Sequence, residues 1–136
     1  MCSILLVEDH KIMAETLVRV LNSKGDFNIA DIAENAEEAM EWLSDRGTSQ
    51  QVDLALVDVA LPRTSGIELV SMIQQKYPAL PCLMISSWKS DQYVKHALVA
   101  GARGYVLKDD VFEVIDGIRH VLDGGMYLSK QISDGE

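Results

Sequence analysis

The sequence predicts an α/β fold in which about five βα units build a parallel sheet, and three observations predict it. Short apolar runs rich in Val, Ile and Leu recur along the chain. The segments between them carry apolar residues at three- and four-residue spacing, the period of a helix face. Chemically versatile polar residues follow the C-terminal ends of the apolar runs: Glu8 and Asp9 after the first, Asp58 after the third, Ser86 after the fourth and Lys108 after the fifth.

The strand candidates are Ile4 to Val7, Phe27 to Ala33, Leu54 to Val57, Leu83 to Ile85 and Tyr105 to Leu107. All but the second are almost continuously apolar, as strands covered on both faces are. Phe27 to Ala33 mixes in Asn28 and Asp31, the half-polar pattern of an edge strand. Helix faces are drawn by Met13, Leu17 and Val20, by Ala36, Met40 and Leu43, and by Val111, Ile115, Ile118 and Leu122. Helix starts are signalled by Asn35 with Glu38, Ser65 with Glu68, Ser90, and Asp110 with Glu113, whose side chains can satisfy the free N–H groups of a first turn. Gly25, Gly47 and Gly101 fall just past the helical patterns, and Pro78 and Pro81 punctuate the approach to the fourth strand.

Composition narrows the function classes. A chain of 136 residues is the size of one domain with its own core. A net charge of −9 disfavours direct nucleic-acid binding, which needs clustered Lys and Arg. No apolar run approaches the roughly 20 residues of a membrane span, so a soluble, cytoplasmic protein is expected. The acidic residues Glu34, Glu37, Glu38 and Glu41 read as one solvated helix face, with Trp42 partly exposed beside it. Cys2 and Cys82 are too few for a disulfide framework and read as free thiols.

The strand-end residues carry the chemistry. In a parallel sheet, right-handed crossovers bring every strand back in one direction, so the C-terminal ends share an edge where ligands bind. Glu8, Asp9, Asp58, Ser86 and Lys108 would meet there. Crowded carboxylates resist full ionisation without a cation. Magnesium suits such a site, because it prefers oxygen ligands and is usually held by one or two carboxylates together with phosphate oxygens. Asp58 is then the candidate nucleophile, Asp9 a direct metal ligand, Glu8 a ligand through water, and Lys108 a compact charge for the transferred group. Ser86 can donate a hydrogen bond. His10 reads as a helix-start residue near the acidic cluster.

Taken together, Val7-Glu8-Asp9-His10, Asp58 followed by Leu61-Pro62 and Gly66, Ser86-Ser87, and Gly101 to Lys108 resemble bacterial two-component response-regulator receivers. The resemblance covers residues 3 to about 123. It implies a flavodoxin-like doubly wound sheet in the order 2-1-3-4-5 with five flanking helices, and a sensor histidine kinase donating phosphoryl to Asp58 beside Mg2+ or Mn2+. It also implies that the Ala60 backbone carbonyl completes the metal ligands and that Ser86 and Tyr105 form a switch pair. Helix four, strand five and helix five would then change surface. With strand three between strands one and four, Cys2 and Cys82 would lie about 9–10 Å apart or more, beyond disulfide reach.

The wording Gly101 to Lys108 and the tail Gly124 to Ser129 resemble receivers that precede a LuxR-type helix-turn-helix domain. Residues 1–123 accordingly read as the receiver, and 124–136 as the start of an interdomain linker or a C-terminal tail. An excised receiver is expected rather than a stand-alone relay. DNA would be reached only through an output domain, and homodimerisation on phosphorylation stays open. Three positions depart from the family pattern: Leu61 stands where methionine is frequent, Trp88 stands two residues after Ser86, and Asp109 follows Lys108 where proline is common. A non-proline cis bond costs about 2.5–4 kcal/mol, so the isomer of the Lys108–Asp109 peptide is undetermined by sequence. Trp88 is large enough to shield part of the crevice.

Plainer roles stand beside these: Glu8 and Asp9 as helix caps, Asp58 and Ser86 as turn residues, Lys108 as a solvated charge, Tyr105 as a packed ring. Two other function classes also fit the fold. A phosphorylation-independent adaptor would not need the intact pocket. A phosphatase acting through an aspartyl phosphate would need an acid or base two residues after Asp58, where Ala60 stands. A signalling switch rather than a turnover enzyme is therefore expected.

Overall fold

The computed structural model describes residues 2–24, 26–45 and 52–133. Along the chain run β1 (Cys2–Val7), α1 (Lys11–Ser23), β2 (Phe27–Ala33), α2 (Ala36–Asp45), β3 (Leu54–Asp58), α3 (Gly66–Lys76), β4 (Cys82–Ser86), α4 (Asp91–Ala100), β5 (Gly104–Leu107), α5 (Val111–Leu122), β6 (Tyr127–Leu128) and α6 (Lys130–Ser133). The sheet is parallel, in the order β2-β1-β3-β4-β5-β6. The order expected for the first five strands holds, and β2 is an edge strand.

Continuous apolar strands bury both faces because side chains alternate across a sheet. Leu5, Val7, Ala55, Val57, Met84, Tyr105 and Leu107 join residues of α2, α3 and α4 in one core. Ile4, Leu6, Leu54, Leu56, Leu83, Ile85 and Val106 join α1 and α5 in the other. In α1 the buried positions are Ala14, Leu17 and Leu21, so Met13 and Val20 flank the stripe rather than centre it.

The helix-start signals act as capping chemistry predicts. Ser65 Oγ accepts from Glu68 N, Ser90 Oγ from Tyr93 N, and Asp110 from Glu113 N. Asn35 Oδ1 accepts from Glu38 N at 2.8 Å. Gly101 ends α4 at φ 114°, in the left-handed region; Gly25 and Gly47 lie outside the described residues. Trp42 corrects an expectation, being buried rather than partly exposed. It sits beside Leu43 and three residues after Ala39, so its ring falls on the apolar side of α2. The acidic residues of that helix do remain exposed.

Cys2 and Cys82 are free, on strands separated by β3. Burial pushes the Cys82 thiol up to about 12. The described residues contain no cis peptide bond, so Lys108–Asp109 is trans.

Residues 127–133 were not anticipated as regular structure. Tyr127–Leu128 extends the sheet beyond β5, and Ile132 enters the core beside α4 and β5. A two-residue strand is too short to show a period, which is why the sequence does not announce it.

Candidate functional site

Parallel pairing continues one residue past the strands and fixes the loops that carry the polar groups. Glu8 N donates to Ala33 O at 2.9 Å, Val59 N to Ile85 O at 3.0 Å, and Lys108 N to Ser86 O at 2.8 Å. Gly66 allows α3 to begin against the end of β3, since a Cβ there would lie 1.9 Å from Asp58 O. These contacts place Glu8, Asp9, Asp58 and Lys108 at one sheet edge.

Asp58 is buried, with both carboxylate oxygens engaged. Oδ1 accepts from Ala60 N at 3.2 Å, and Oδ2 accepts from Lys108 Nζ at 2.9 Å. Lys108 Nζ also lies 2.6 Å from Glu8 Oε1. Apart from this contact Glu8 Oε1 has no hydrogen-bond partner. At this separation charge attraction makes the contact an ion pair.

Burial and the neighbouring Asp58 raise the Glu8 carboxyl above its ordinary value despite the lysine. Burial alone would lower the Lys108 ammonium, but Glu8 and Asp58 outweigh it and hold the group above its ordinary value. One ammonium thus faces the carboxylates of Glu8 and Asp58, with Asp9 adjoining, and the site is short of positive charge.

A divalent metal fits this donor set. Ligand atoms of Glu8, Asp9, His10 and Asp58 all lie within 4.8 Å of one another. Asp9 Oδ1 is inaccessible to solvent and lacks a hydrogen-bond partner. An orphaned buried carboxylate oxygen among further carboxylates is the arrangement a hard cation relieves. His10, read from sequence as a helix-start residue near the acidic cluster, is the N-cap of α1, with Nδ1 3.7 Å from both Glu8 Oε2 and Asp9 Oδ1. Its side chain is 73% exposed, which keeps it at the rim.

Across the β4–β5 pair Ser86 lies opposite Leu107 and Tyr105 opposite Met84, and the hydroxyls of Ser86 and Tyr105 both face the loop after β4. Ser86 Oγ accepts from Trp88 N at 2.9 Å and lies 3.4 Å from Trp88 O. The Tyr105 hydroxyl donates to Trp88 O at 2.9 Å, its ring fully buried. Burial raises the Tyr105 hydroxyl above its ordinary value. The Trp88 indole leans on Tyr93, ring centroids 5.7 Å apart, and is about half exposed. Beside the pocket, a cleft of about 280 Å³ is lined by Met13, Ser87, Lys89, Lys108, Asp109 and Gln131 among others.

A doubly wound parallel sheet with acidic loops at its C-terminal edge and a lysine after the fifth strand defines a class. The family model for the response regulator receiver domain matches residues 4–119, and the chain belongs to that family. It is therefore a signalling module, the receiver domain of a two-component regulator. Within the family it is similar to LuxR-family regulators. It is 36% identical to the DNA-binding transcriptional activator DevR/DosR of Mycobacterium tuberculosis, over 80% of this chain and 48% of that protein. A LuxR-family response regulator from Aurantimonas superposes with a TM-score of 0.91 at 28% identity, covering 98% of this chain and 94% of that one. The CheX–CheY–BeF3–Mg2+ complex from Borrelia burgdorferi contains a chain that matches with a TM-score of 0.81 at 28% identity, over 88% of each. The chain spans about half the length of the first curated relatives it matches. Among the described residues no helix is long and apolar enough to cross a membrane.

Proposed function

We propose that Asp58 accepts a phosphoryl group from a sensor histidine kinase and that this phosphorylation switches a transcriptional output domain. The observation that carries the reading is Asp58 itself: a buried strand-end carboxylate held by Lys108 Nζ and Ala60 N, beside the orphaned Asp9 oxygen. An Asp58 oxygen attacks phosphorus, the bond from phosphorus to the donor's imidazole nitrogen breaks, and the imidazole leaves with that electron pair and takes up a proton. Lys108 is free to exchange its carboxylate partners for the phosphoryl oxygens.

Asp9, Asp58 and the Ala60 carbonyl would hold Mg2+ or Mn2+ directly, and Glu8 through water. Bound there, the cation neutralises charge on the transferring group. Ser86 and Tyr105 carry the response: movement of the Ser86 hydroxyl toward the phosphoryl group breaks its bond with Trp88 N and reshapes the loop that holds the Tyr105 hydroxyl. The surface of α4, β5 and α5 changes in consequence, for an output domain or a second receiver to read. DNA is reached through the output domain, and the cytoplasm, where such kinases present their phosphohistidine, is the compartment.

Incubation with magnesium and acetyl phosphate tests the assignment by intact mass. The wild type gains a hydroxylamine-labile phosphoryl group, and Asp58→Asn does not. Full-yield labelling of the variant would refute the nucleophile.

A further inference from the structure

The C-terminal segment is built into the phosphoryl site's support. β5 is clamped at its end from both sides: Lys108 N donates to Ser86 O at 2.8 Å, and Leu107 N donates to Ser129 Oγ at 2.8 Å. Ser129 is fully buried, and its hydroxyl proton goes to Glu113 Oε1 at 2.7 Å. The other Glu113 oxygen accepts from Tyr127 OH at 2.9 Å and from Lys130 N at 3.0 Å. Main-chain bonds run from Tyr127 N to Arg103 O and from Ser129 N to Tyr105 O, at 3.1 and 3.0 Å.

The receiver is shaped for this segment. A Cβ on Gly104 would lie 2.4 Å from Tyr127 O, so only glycine lets β6 approach β5 here. Ile132 is buried in the same core as Tyr105 and Leu107, and Gln131 lines the cleft that Lys108 also lines. A continuous path therefore runs from the Glu113 carboxylate through Ser129 Oγ to the peptide N–H immediately before Lys108.

We propose that Ser129, oriented by Glu113, is a positioning residue of the phosphoryl site: it fixes the end of β5 that presents Lys108 to Asp58, so docking of residues 127–132 and phosphorylation of Asp58 are linked. The inference rests on Asp58 being the acceptor. Loss of Ser129 Oγ leaves the Leu107 N–H without this partner and lets the Lys108 backbone drift, although no side chain that touches the phosphoryl is itself altered.

The experiment follows the rate at which acetyl phosphate and magnesium label the full chain. Ser129→Ala slows labelling about fivefold, the scale of one hydrogen bond's net contribution, without changing magnesium affinity. Ser129→Thr keeps the hydroxyl and labels at the wild-type rate. Tyr127→Phe removes one bond to Glu113 but leaves the Ser129–Leu107 bond, and lowers stability without slowing labelling. A wild-type rate in Ser129→Ala, or equal slowing in Tyr127→Phe, would overturn the role. Should Ser129→Ala not fold, hydrogen exchange at the Leu107 and Ser129 amides of the wild type decides: phosphorylation changes both, and unchanged exchange on a fully labelled chain rejects the link. Failure of the wild type to label at all would instead refute the acceptor assignment beneath it.

Discussion

The two edges of the sheet are finished differently. On β2 the outer backbone is left beside water, with Asn28, Asp31 and Ile32 exposed and Asp31 placing a charge on the strand. On the far side, β5 is not an edge: β6 pairs with it and α6 follows. Charge on an exposed strand discourages pairing with another chain, whereas a covering segment removes the opportunity. The covered side is also the one bearing Tyr105 and Lys108. A strand whose end must hold a cation in place gains from being gripped on both sides, and a strand remote from that task does not need it.

Matched truncations sharpen this contrast. Ile132→Ala removes a buried side chain and lowers unfolding stability by about 2–4 kcal/mol, while Ile32→Ala, at an exposed position, stays within about 0.5 kcal/mol. Urea denaturation measures both. Equal costs would mean that the tail is not part of the cooperative unit.

Acidity separates the edges next. Burial would raise the Glu113 carboxyl, but bonds from Lys130 N, Ser129 and Tyr127 outweigh it and hold the group below its ordinary 4.5. A depressed carboxyl stabilises above its unfolded value and loses that contribution as pH falls through the folded one. Amide protection in 127–132 is therefore flat from neutral pH to about 4.5 and falls below it, and Glu113→Gln removes that dependence. Exchange at β2 amides lacks this component. The smallest effect concerns the thiols: Cys82, buried in β4 and pushed up to about 12, stays unmodified by iodoacetamide at neutral pH, whereas the half-buried Cys2 reacts slowly. Mass spectrometry after alkylation would show Cys82 labelled first if the sheet centre were open.

Much of this was legible in the sequence, for a physical reason. Strand ends in a parallel sheet announce themselves by a switch from apolar to polar residues, and that switch placed Glu8, Asp9, Asp58, Ser86 and Lys108 at one edge. Caps were equally readable, because a Ser, Asn or Asp before a first turn has a local partner. Glu113 shows the limit. Its backbone N–H does complete the Asp110 cap, but its carboxylate turns to Ser129 and Tyr127, a long-range choice that no local spacing encodes. Trp42 was misread because its acidic neighbours masked the apolar side it shares with Ala39 and Leu43. Trp88 was read for the size of its ring; what the sequence does not encode is that the ring leans on Tyr93 and that its backbone does the local bonding.

That last arrangement has an evolutionary consequence. The Tyr105 hydroxyl is held by the carbonyl of residue 88, and every amino acid supplies a carbonyl. The outward-facing side chain at this position can therefore be exchanged through mutation while the contact to the buried ring persists. Lineages that duplicate such a domain can diversify its exterior here without rebuilding the buried contact beneath it.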